Sequence, residues 1–195
     1  EDIIYWNIVI DTAVGHLYKL HDAIIKVKKK YDNRINIISG NVASSEAFLK
    51  LAQTGVNGIR VGVGGGGNCN TTLNTGVGQK NLEKLIKKCY KLKLKNNDIK
   101  NVEIIADGIS SFVKKLIKKE EGLYNGYAAI NRLLYAGANS VMVGSLFNST
   151  LECANEKYYY LDGDLIEIKN PKINDLNKNI VTYSQGMSTK NAQKI

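Results

Sequence analysis

Cysteine and long apolar runs are both scarce in this sequence of 195 residues. The three cysteines, Cys69, Cys89 and Cys153, lie far apart, and no CxxC or cysteine–histidine cluster occurs. A disulfide framework and a zinc site are therefore not indicated, and we expect a reducing, cytoplasmic setting. No apolar run approaches the roughly 18 to 20 residues that cross a bilayer, so we expect a soluble protein without a membrane partner.

The rest of the composition is that of an ordinary globular domain. It is 44% hydrophobic and 23% charged, which excludes a disordered tail and a collagen-like fibre. The net charge of +9 comes mostly from lysines that alternate with Ile, Leu and Val at helical spacing. Because no aromatic series is interleaved with them, we interpret these lysines as solvent-exposed helix faces and expect no nucleic-acid partner.

Apolar β-branched runs alternate with amphipathic stretches along the chain. They predict strands at 3–10, 35–39, 58–63, 102–106 and 140–143, and helices at 16–31, 44–53, 81–92 and 128–135. This alternation is typical of an α/β fold whose parallel sheet is covered on both faces, with 3–10 as a buried strand. We expect one domain over 1–195 with two insertions, a surface helix at about 110–125 and a hairpin segment at about 157–181 that turns at 162–164.

Small or hydrogen-bonding residues follow every predicted strand. They occupy positions 11–13, 40–42, 64–78, 107–108 and 144–145. In parallel α/β proteins, ligands bind outside the carboxyl ends of the strands. The sequence therefore predicts one shared ligand site at this edge of the sheet.

The segment 60–79 (RVGVGGGGNCNTTLNTGVGQ) contains four consecutive glycines and Cys69. Glycines let a backbone approach a ligand closely, so that its N–H groups can hold a phosphate or its carbonyls a monovalent cation. Cys69 is a candidate nucleophile in this loop, and a flexible linker with an incidental cysteine is the alternative. The spacing fits neither the dinucleotide-binding fingerprint nor the Walker loop.

Six segments match the motifs of one known family. In chain order they are 11–16 (DTAVGH), 40–43 (GNVA), 61–71 (VGVGGGGNCNT), 106–108 (ADG), 140–146 (SVMVGSL) and 186–189 (GMST). Together they resemble the IMP dehydrogenase/GMP reductase family of (β/α)8 barrels. Because a complete barrel of this type needs about 250 residues, we expect an incomplete parallel (β/α)8 TIM barrel with about five βα units.

The resemblance implies a role for each matching residue. Cys69 would be the nucleophile that attacks the purine ring, and Thr71 would assist it. The residues implied to bind a purine monophosphate, IMP or GMP, are Asn41, Gly67, Asp107, Gly108, Ile109, Gly144, Ser145, Tyr183, Ser184, Gly186 and Met187. Those implied to bind NAD are Asp11, Thr12, Ala13, Gly62, Val63 and Gly64. Carbonyls of Gly64, Gly66 and Cys69 would hold potassium, and the family suggests a homotetramer.

Several positions depart from the family pattern. Gly67 replaces the usual phosphate-binding serine, Ile109 replaces the second glycine of ADGG, and Ser184 stands where a tyrosine is usual. The catalytic flap of the family follows the GMST element and is not in this sequence. An IMP dehydrogenase is the first interpretation, and a GMP reductase or a non-catalytic nucleotide-binding relative are the alternatives.

Most of these residues also have an ordinary structural explanation. Cys89 and Cys153 are expected to be packing residues. We expect His16 and His21 to be surface residues or helix caps. Asp11, Asp107, Thr71 and Ser145 could cap the turns or helices that follow them, and Asn41 could be a turn residue.

Overall fold

The computed structural model describes residues 5–65, 76, 78–79, 81–109, 122–144, 147, 150, 152–170, 172 and 180–182, with the backbone alone at 33 and 122–126. Its strands are β1 (Trp6–Asp11), β2 (Ile35–Val42), β3 (Gly58–Val61), β4 (Glu103–Asp107), β5 (Ser140–Met142), β6 (Lys157–Leu161), β7 (Asp164–Glu167) and β8 (Val181–Thr182). Its α-helices are α1 (Tyr18–Tyr31), α2 (Ser45–Ala52), α3 (Leu82–Lys95) and α4 (Gly122–Tyr135). Two 3-10 helices, Asp32–Arg34 and Asn97–Ile99, precede β2 and β4.

The main sheet has five strands in the order β1-β2-β3-β4-β5, and all neighbouring pairs are parallel. Among the described residues, one α-helix lies between each pair of successive strands of this sheet. This sequential βα order is that of a (β/α)8 barrel and confirms the predicted fold class with about five βα units. Over the described residues the sheet does not close, and β1 and β5 form its edges.

The hydrophobic core lies between one face of the sheet and the four helices. Alternate residues of β2, among them Ile35 and Ile37, are buried there with Phe48 of α2 and Ile86 of α3. On the opposite face Asn36 is exposed. The opposite face is therefore covered unevenly among the described residues, since Asn36 is exposed whereas Ile105 is buried. In a barrel the inner face packs against side chains of other strands rather than against helices.

Strand β1 is not the buried strand that its apolar composition predicted. The side chains of Trp6 and Val9 are 57% and 58% exposed. The physical reason is its position, because β1 is an edge strand with one neighbouring strand among the described residues. The apolar sequence of β1 therefore predicted a burial that the described part of the chain does not provide.

The helices begin and end close to the predicted positions, with one exception. Ser44 caps α2 by accepting a hydrogen bond from Ala47 N at 3.1 Å, as serine does before a helix. In α3 the buried residues Leu82, Leu85, Ile86 and Cys89 recur on one face, while most of its lysines are exposed as predicted. The exception is α4, which begins at Gly122 instead of 128. The end of the predicted insertion helix therefore belongs to α4, and residues 110–121 lie outside the described ranges.

A second sheet is formed by β7-β6-β8, whose pairs are antiparallel. The predicted hairpin is confirmed, since β6 and β7 are joined at Asp162 and Gly163, both with positive φ. Such backbone geometry is typical of a two-residue hairpin turn. Among the described residues, none of the helices combines the length and the apolar character needed to span a membrane.

Candidate active site

The carboxyl ends of β1, β2 and β3 are tied together by backbone hydrogen bonds. Thr12 N donates to Gly40 O at 3.0 Å, and Asn41 N donates back to Thr12 O at the same distance. The Thr12 hydroxyl also donates to Gly40 O, at 2.7 Å. Gly62 N, just after β3, donates to Val42 O at 2.8 Å. The turns predicted to share one edge of the sheet are therefore in direct contact there.

The turn after β4 meets the beginning of the glycine loop through glycines that leave no room for a side chain. A Cβ atom added at Gly62 would lie 2.0 Å from Asp107 O, and one at Gly65 would lie 2.5 Å from Gly108 O. Both distances are shorter than any contact that real Cβ atoms make. Gly62 and Gly65 thus allow neighbouring turns to touch, a role that is separate from the close approach of a backbone to a ligand.

Arg60 occupies the centre of this edge. It lies on β3, and its side chain is only 12% exposed. One terminal nitrogen lies 2.7 Å from Asp11 Oδ1 at the end of β1, and the other lies 2.9 Å from Asp107 Oδ2 at the end of β4. A buried guanidinium needs such negative partners, since an unpaired buried charge is strongly unfavourable.

Arg60 reaches Asp11 across β2, and a glycine makes this possible. In the sheet register, Gly40 pairs with Asp11 on one side and with Arg60 on the other. A Cβ atom added at Gly40 would lie 2.7 Å from the Cβ of Arg60. The glycine therefore leaves the space through which the arginine side chain passes.

Asn41 adds a second donor to the same carboxylate. Its Nδ2 lies 2.6 Å from Asp107 Oδ2 and 2.6 Å from Gly62 O, so the amide links β2, β3 and β4. Asn41 is thus more than a turn residue. Both internal donors of Asp107, from Asn41 and Arg60, converge on one carboxylate oxygen.

The two ends of the glycine loop are held together by Gln79. Its side-chain Oε1 accepts a hydrogen bond from Val63 N at 2.5 Å. The loop that carries Cys69 therefore starts and finishes at the edge where Asp107 lies. Cys69, Thr71, Gly66 and Gly67 themselves are outside the described residues, so their predicted roles stay predictions.

The structure describes some of the other predicted site residues and leaves the rest outside its described ranges. Ile109 is buried in the core, so that only its backbone is available to a ligand. Gly144 follows β5, and a Cβ atom added there would meet nothing within 4 Å, which leaves open space beside it. Thr12 is half-buried, and Ala13 is exposed at the end of β1. Ser145, Tyr183, Ser184, Gly186 and Met187 lie outside the described ranges.

The two histidines lie next to the site without joining the carboxylate network. His21 is buried with its Nε2 3.2 Å from Gly15 O, so the expectation of a surface residue is wrong for it. The ring centroids of His16 and His21 are 5.5 Å apart. Burial, together with the charges of Lys50 and His21, lowers the pKa of His16, which favours its neutral form at neutral pH.

The described cysteines differ in their surroundings. Cys89 is fully buried in the core, and burial raises the pKa of its thiol to about 12, so it is an inert packing residue as predicted. Cys153 is only half-buried and is not part of the core. In the described part of the chain, no three His, Cys, Asp or Glu side chains group as they would around a metal ion.

Sequence reasoning missed Arg60 and the closing role of Gln79. The signal for Arg60 was one charged residue within the apolar strand Gly58–Val61, since a charge in a buried strand requires partners. The sequence shows that partners must exist but not which ones. Their identity depends on the register of β1, β2, β3 and β4.

The five-stranded parallel sheet defines an α/β fold of the (β/α)8 type, and comparison with known proteins identifies the family. The family model described as IMP dehydrogenase / GMP reductase domain matches residues 5–169. The chain therefore belongs to the IMP dehydrogenase/GMP reductase family, whose members are oxidoreductases.

Individual relatives agree with this assignment. The chain is 35% identical over 153 residues to an inosine-5′-monophosphate dehydrogenase of Borreliella burgdorferi, covering 78% of this chain and 33% of the relative. It is 35% identical over 151 residues to the same enzyme of Cryptosporidium parvum, covering 77% and 32%. A crystal structure of a GMP reductase variant from Trypanosoma brucei is similar with a TM-score of 0.54 and 29% identity, covering 71% of this chain and 27% of that one. The chain thus spans about a third or less of the length of these relatives.

Proposed function

We propose that the protein is an IMP dehydrogenase-like oxidoreductase that oxidises IMP to XMP with NAD, as part of GMP biosynthesis. The observation that carries the proposal is the Asp107 carboxylate, which Asn41 and Arg60 hold at the strand edge where the Cys69 loop begins and ends. The family match and the names of the curated relatives support the same conclusion.

In this proposal the nucleotide lies across the ends of β3, β4 and β5. Asp107 accepts hydrogen bonds from the ribose hydroxyls, a task suited to a fixed carboxylate. Backbone N–H groups at Gly67, Gly108, Ile109 and Gly144, with the hydroxyl of Ser145, bind the phosphate. Gly144 is next to open space, as a phosphate-binding turn must be. Asn41, Tyr183, Ser184, Gly186 and Met187 complete the proposed contacts.

Cys69 carries the proposed chemistry. Its thiolate attacks C2 of the purine, a C–S bond forms, and the hydrogen at C2 leaves with its electron pair as a hydride to the oxidised nicotinamide. Water then displaces the sulfur, giving XMP and the free thiol, whose proton is lost when the thiolate forms again. Thr71, two residues away on the same loop, is proposed to assist at this carbon. A covalent intermediate divides one difficult step into two easier ones.

The residues proposed for the dinucleotide fit an extended ligand at the rim. The Asp11 side chain is 69% exposed and Ala13 is exposed, while Gly62 to Gly64 line the neighbouring strand end. NAD, when bound there, accepts the hydride. For potassium, Gly64 has a positive φ and lies next to the loop, and Gly66 and Cys69 would supply the other carbonyls. A homotetramer in the cytoplasm is part of the same proposal.

GMP reductase is the second candidate, and one observation favours it. One of the solved structures to which the chain is similar is a GMP reductase. In that case GMP and NADPH would be the substrates, and IMP would be formed with loss of ammonia. The same Cys69 and Asp107 would serve in either reaction, the oxidation of IMP or the reduction of GMP.

Turnover assays on the full-length protein separate these candidates. We expect the absorbance of the reduced nicotinamide to rise with IMP and NAD, and to stay constant with GMP and NADPH. A constant absorbance with IMP and NAD, together with a fall with GMP and NADPH, would assign the protein as a GMP reductase.

Cys69→Ala tests whether the protein is a catalyst at all. We expect turnover to be lost while nucleotide binding persists, because the nucleophile is removed but the ribose and phosphate contacts remain. Cys89→Ala is the matched control, since its thiol is buried in the core. Nucleotide binding with no turnover in the unaltered protein would instead support the non-catalytic relative.

A further inference from the structure

The two carboxylates at the site edge are not independent, because one guanidinium joins them. Arg60 contacts Asp11 and Asp107 through two different terminal nitrogens, at 2.7 Å and 2.9 Å. Its Nε is buried without a hydrogen-bond partner among the described residues. The contacts with the two carboxylates are therefore made by the terminal nitrogens. A lysine, with a single nitrogen on a flexible stem, does not reproduce such a fork.

Arg60 also determines which oxygen of Asp107 is available. The bonds from Arg60 and Asn41 both end on Oδ2. Within the described part of the chain, Oδ1 receives neither of them, and the side chain of Asp107 is 22% exposed. The carboxylate is therefore fixed through Oδ2, while Oδ1 takes part in neither of these two bonds.

We infer that Arg60 is a positioning residue for ribose recognition, which orients the Asp107 carboxylate through Oδ2 so that Oδ1 accepts from a ribose hydroxyl. Arg60 is less exposed than Asp107, at 12% against 22%, and in this inference acts on the ligand only through it. This inference rests on the proposed function and explains how the site would select a nucleotide by its sugar. A fixed acceptor favours a ribonucleotide over a deoxyribonucleotide, because only the former offers both hydroxyls.

The test measures this selectivity directly. In the full-length protein, dissociation constants are determined by calorimetry for IMP and for 2′-deoxy-IMP. We expect the unaltered protein to prefer IMP by about ten-fold or more, the value of a hydrogen bond to a charged acceptor. In Arg60→Gln the preference should fall to within about three-fold, with the loss concentrated in IMP binding. Arg132→Gln, which removes a surface arginine paired with Glu83, is the matched control and should keep the preference.

A second variant covers the case in which Arg60→Gln does not fold. Asp11→Asn removes the outer, mostly exposed partner of Arg60, so it should fold and should reduce the preference by a few-fold. Equal weakening of both nucleotides, or an unchanged preference in both variants, would overturn the positioning role while leaving the proposed function intact. If the unaltered protein bound neither IMP nor GMP, the proposed function and this inference would both be wrong.

Discussion

At the scale of single residues, the site edge depends on positions where no side chain fits. Gly40 leaves the space for Arg60, and Gly62 touches the carbonyl of Asp107. From the sequence, Gly62 was expected to bind the cofactor, and Gly40 was expected in a turn at the same edge. The structure adds a second reason for them, because adjacent strand ends approach each other more closely than any Cβ allows.

Gly62→Ala should therefore be strongly destabilising. The new methyl group would overlap Asp107 O, and alanine is disfavoured at the positive φ of this residue. We expect a loss of about 2 to 5 kcal/mol in the free energy of unfolding, measured by urea denaturation. Gly163→Ala is the control, since its φ is also positive but nothing lies within 4 Å. A loss at Gly62 no greater than at Gly163 would contradict the steric explanation.

At the scale of elements, α3 and α4 are joined by one carboxylate. Glu83 of α3 contacts Lys87 of the same helix and Arg132 of α4, each at 2.7 Å. The hydrogen bond from Lys87 lowers the pKa of Glu83 against the opposing effect of burial, and Arg132 lowers it further. A carboxylate whose pKa is lower in the folded state stabilises the fold above its unfolded pKa, and the stabilisation is lost as pH falls through the folded pKa.

Glu83→Gln should consequently show a pH-dependent defect. Near neutral pH we expect the variant to be about 1 kcal/mol less stable than the parent, because two charge-assisted hydrogen bonds are weakened. The difference should begin to shrink as the pH falls below about 4.3, the ordinary pKa of glutamate, and should vanish only below the lowered pKa of the folded carboxylate. Thermal unfolding over this pH range measures it, with Glu152→Gln, on an exposed residue, as control. A defect of the same size at every pH would exclude the charge as its cause.

Much of this element arrangement could be predicted from the sequence, for identifiable reasons. Alternating apolar runs fixed the five parallel strands, and Ser44 marked the beginning of α2. The beginning of α4 was predicted six residues late, because residues 122–125 were assigned to the insertion helix and Gly126 is a poor helix former. The pairing of Arg60 with Asp11 could not be predicted, because it joins residues two strands apart and depends on the register across Gly40.

At the scale of the whole molecule, the described sheet has two open edges and helices on one face only. Trp6 and Val9 on β1 are more than half exposed, and β1 has a neighbouring strand on one side alone. Unpaired strand edges with apolar side chains are templates for pairing with another chain. The isolated chain of 195 residues is therefore expected to self-associate through β1.

Val9→Lys should reduce this self-association, because a charge on an edge strand opposes edge-to-edge pairing. Sedimentation velocity over a range of concentrations of the isolated chain measures the effect. Tyr135→Lys is the control, since Tyr135 is 94% exposed but lies on α4, away from the edge. Equal self-association of Val9→Lys and the parent chain would show that β1 is not the contact.

The charges around Arg60 also give the site a polarity. Two carboxylates and one guanidinium leave one net negative charge beside Asp107, on a chain whose overall charge is +9. A phosphate dianion is repelled from that spot and attracted to the surrounding protein. A sugar phosphate would therefore arrive with its anionic end turned away from Asp107, so that its direction is selected by long-range forces before any single contact forms.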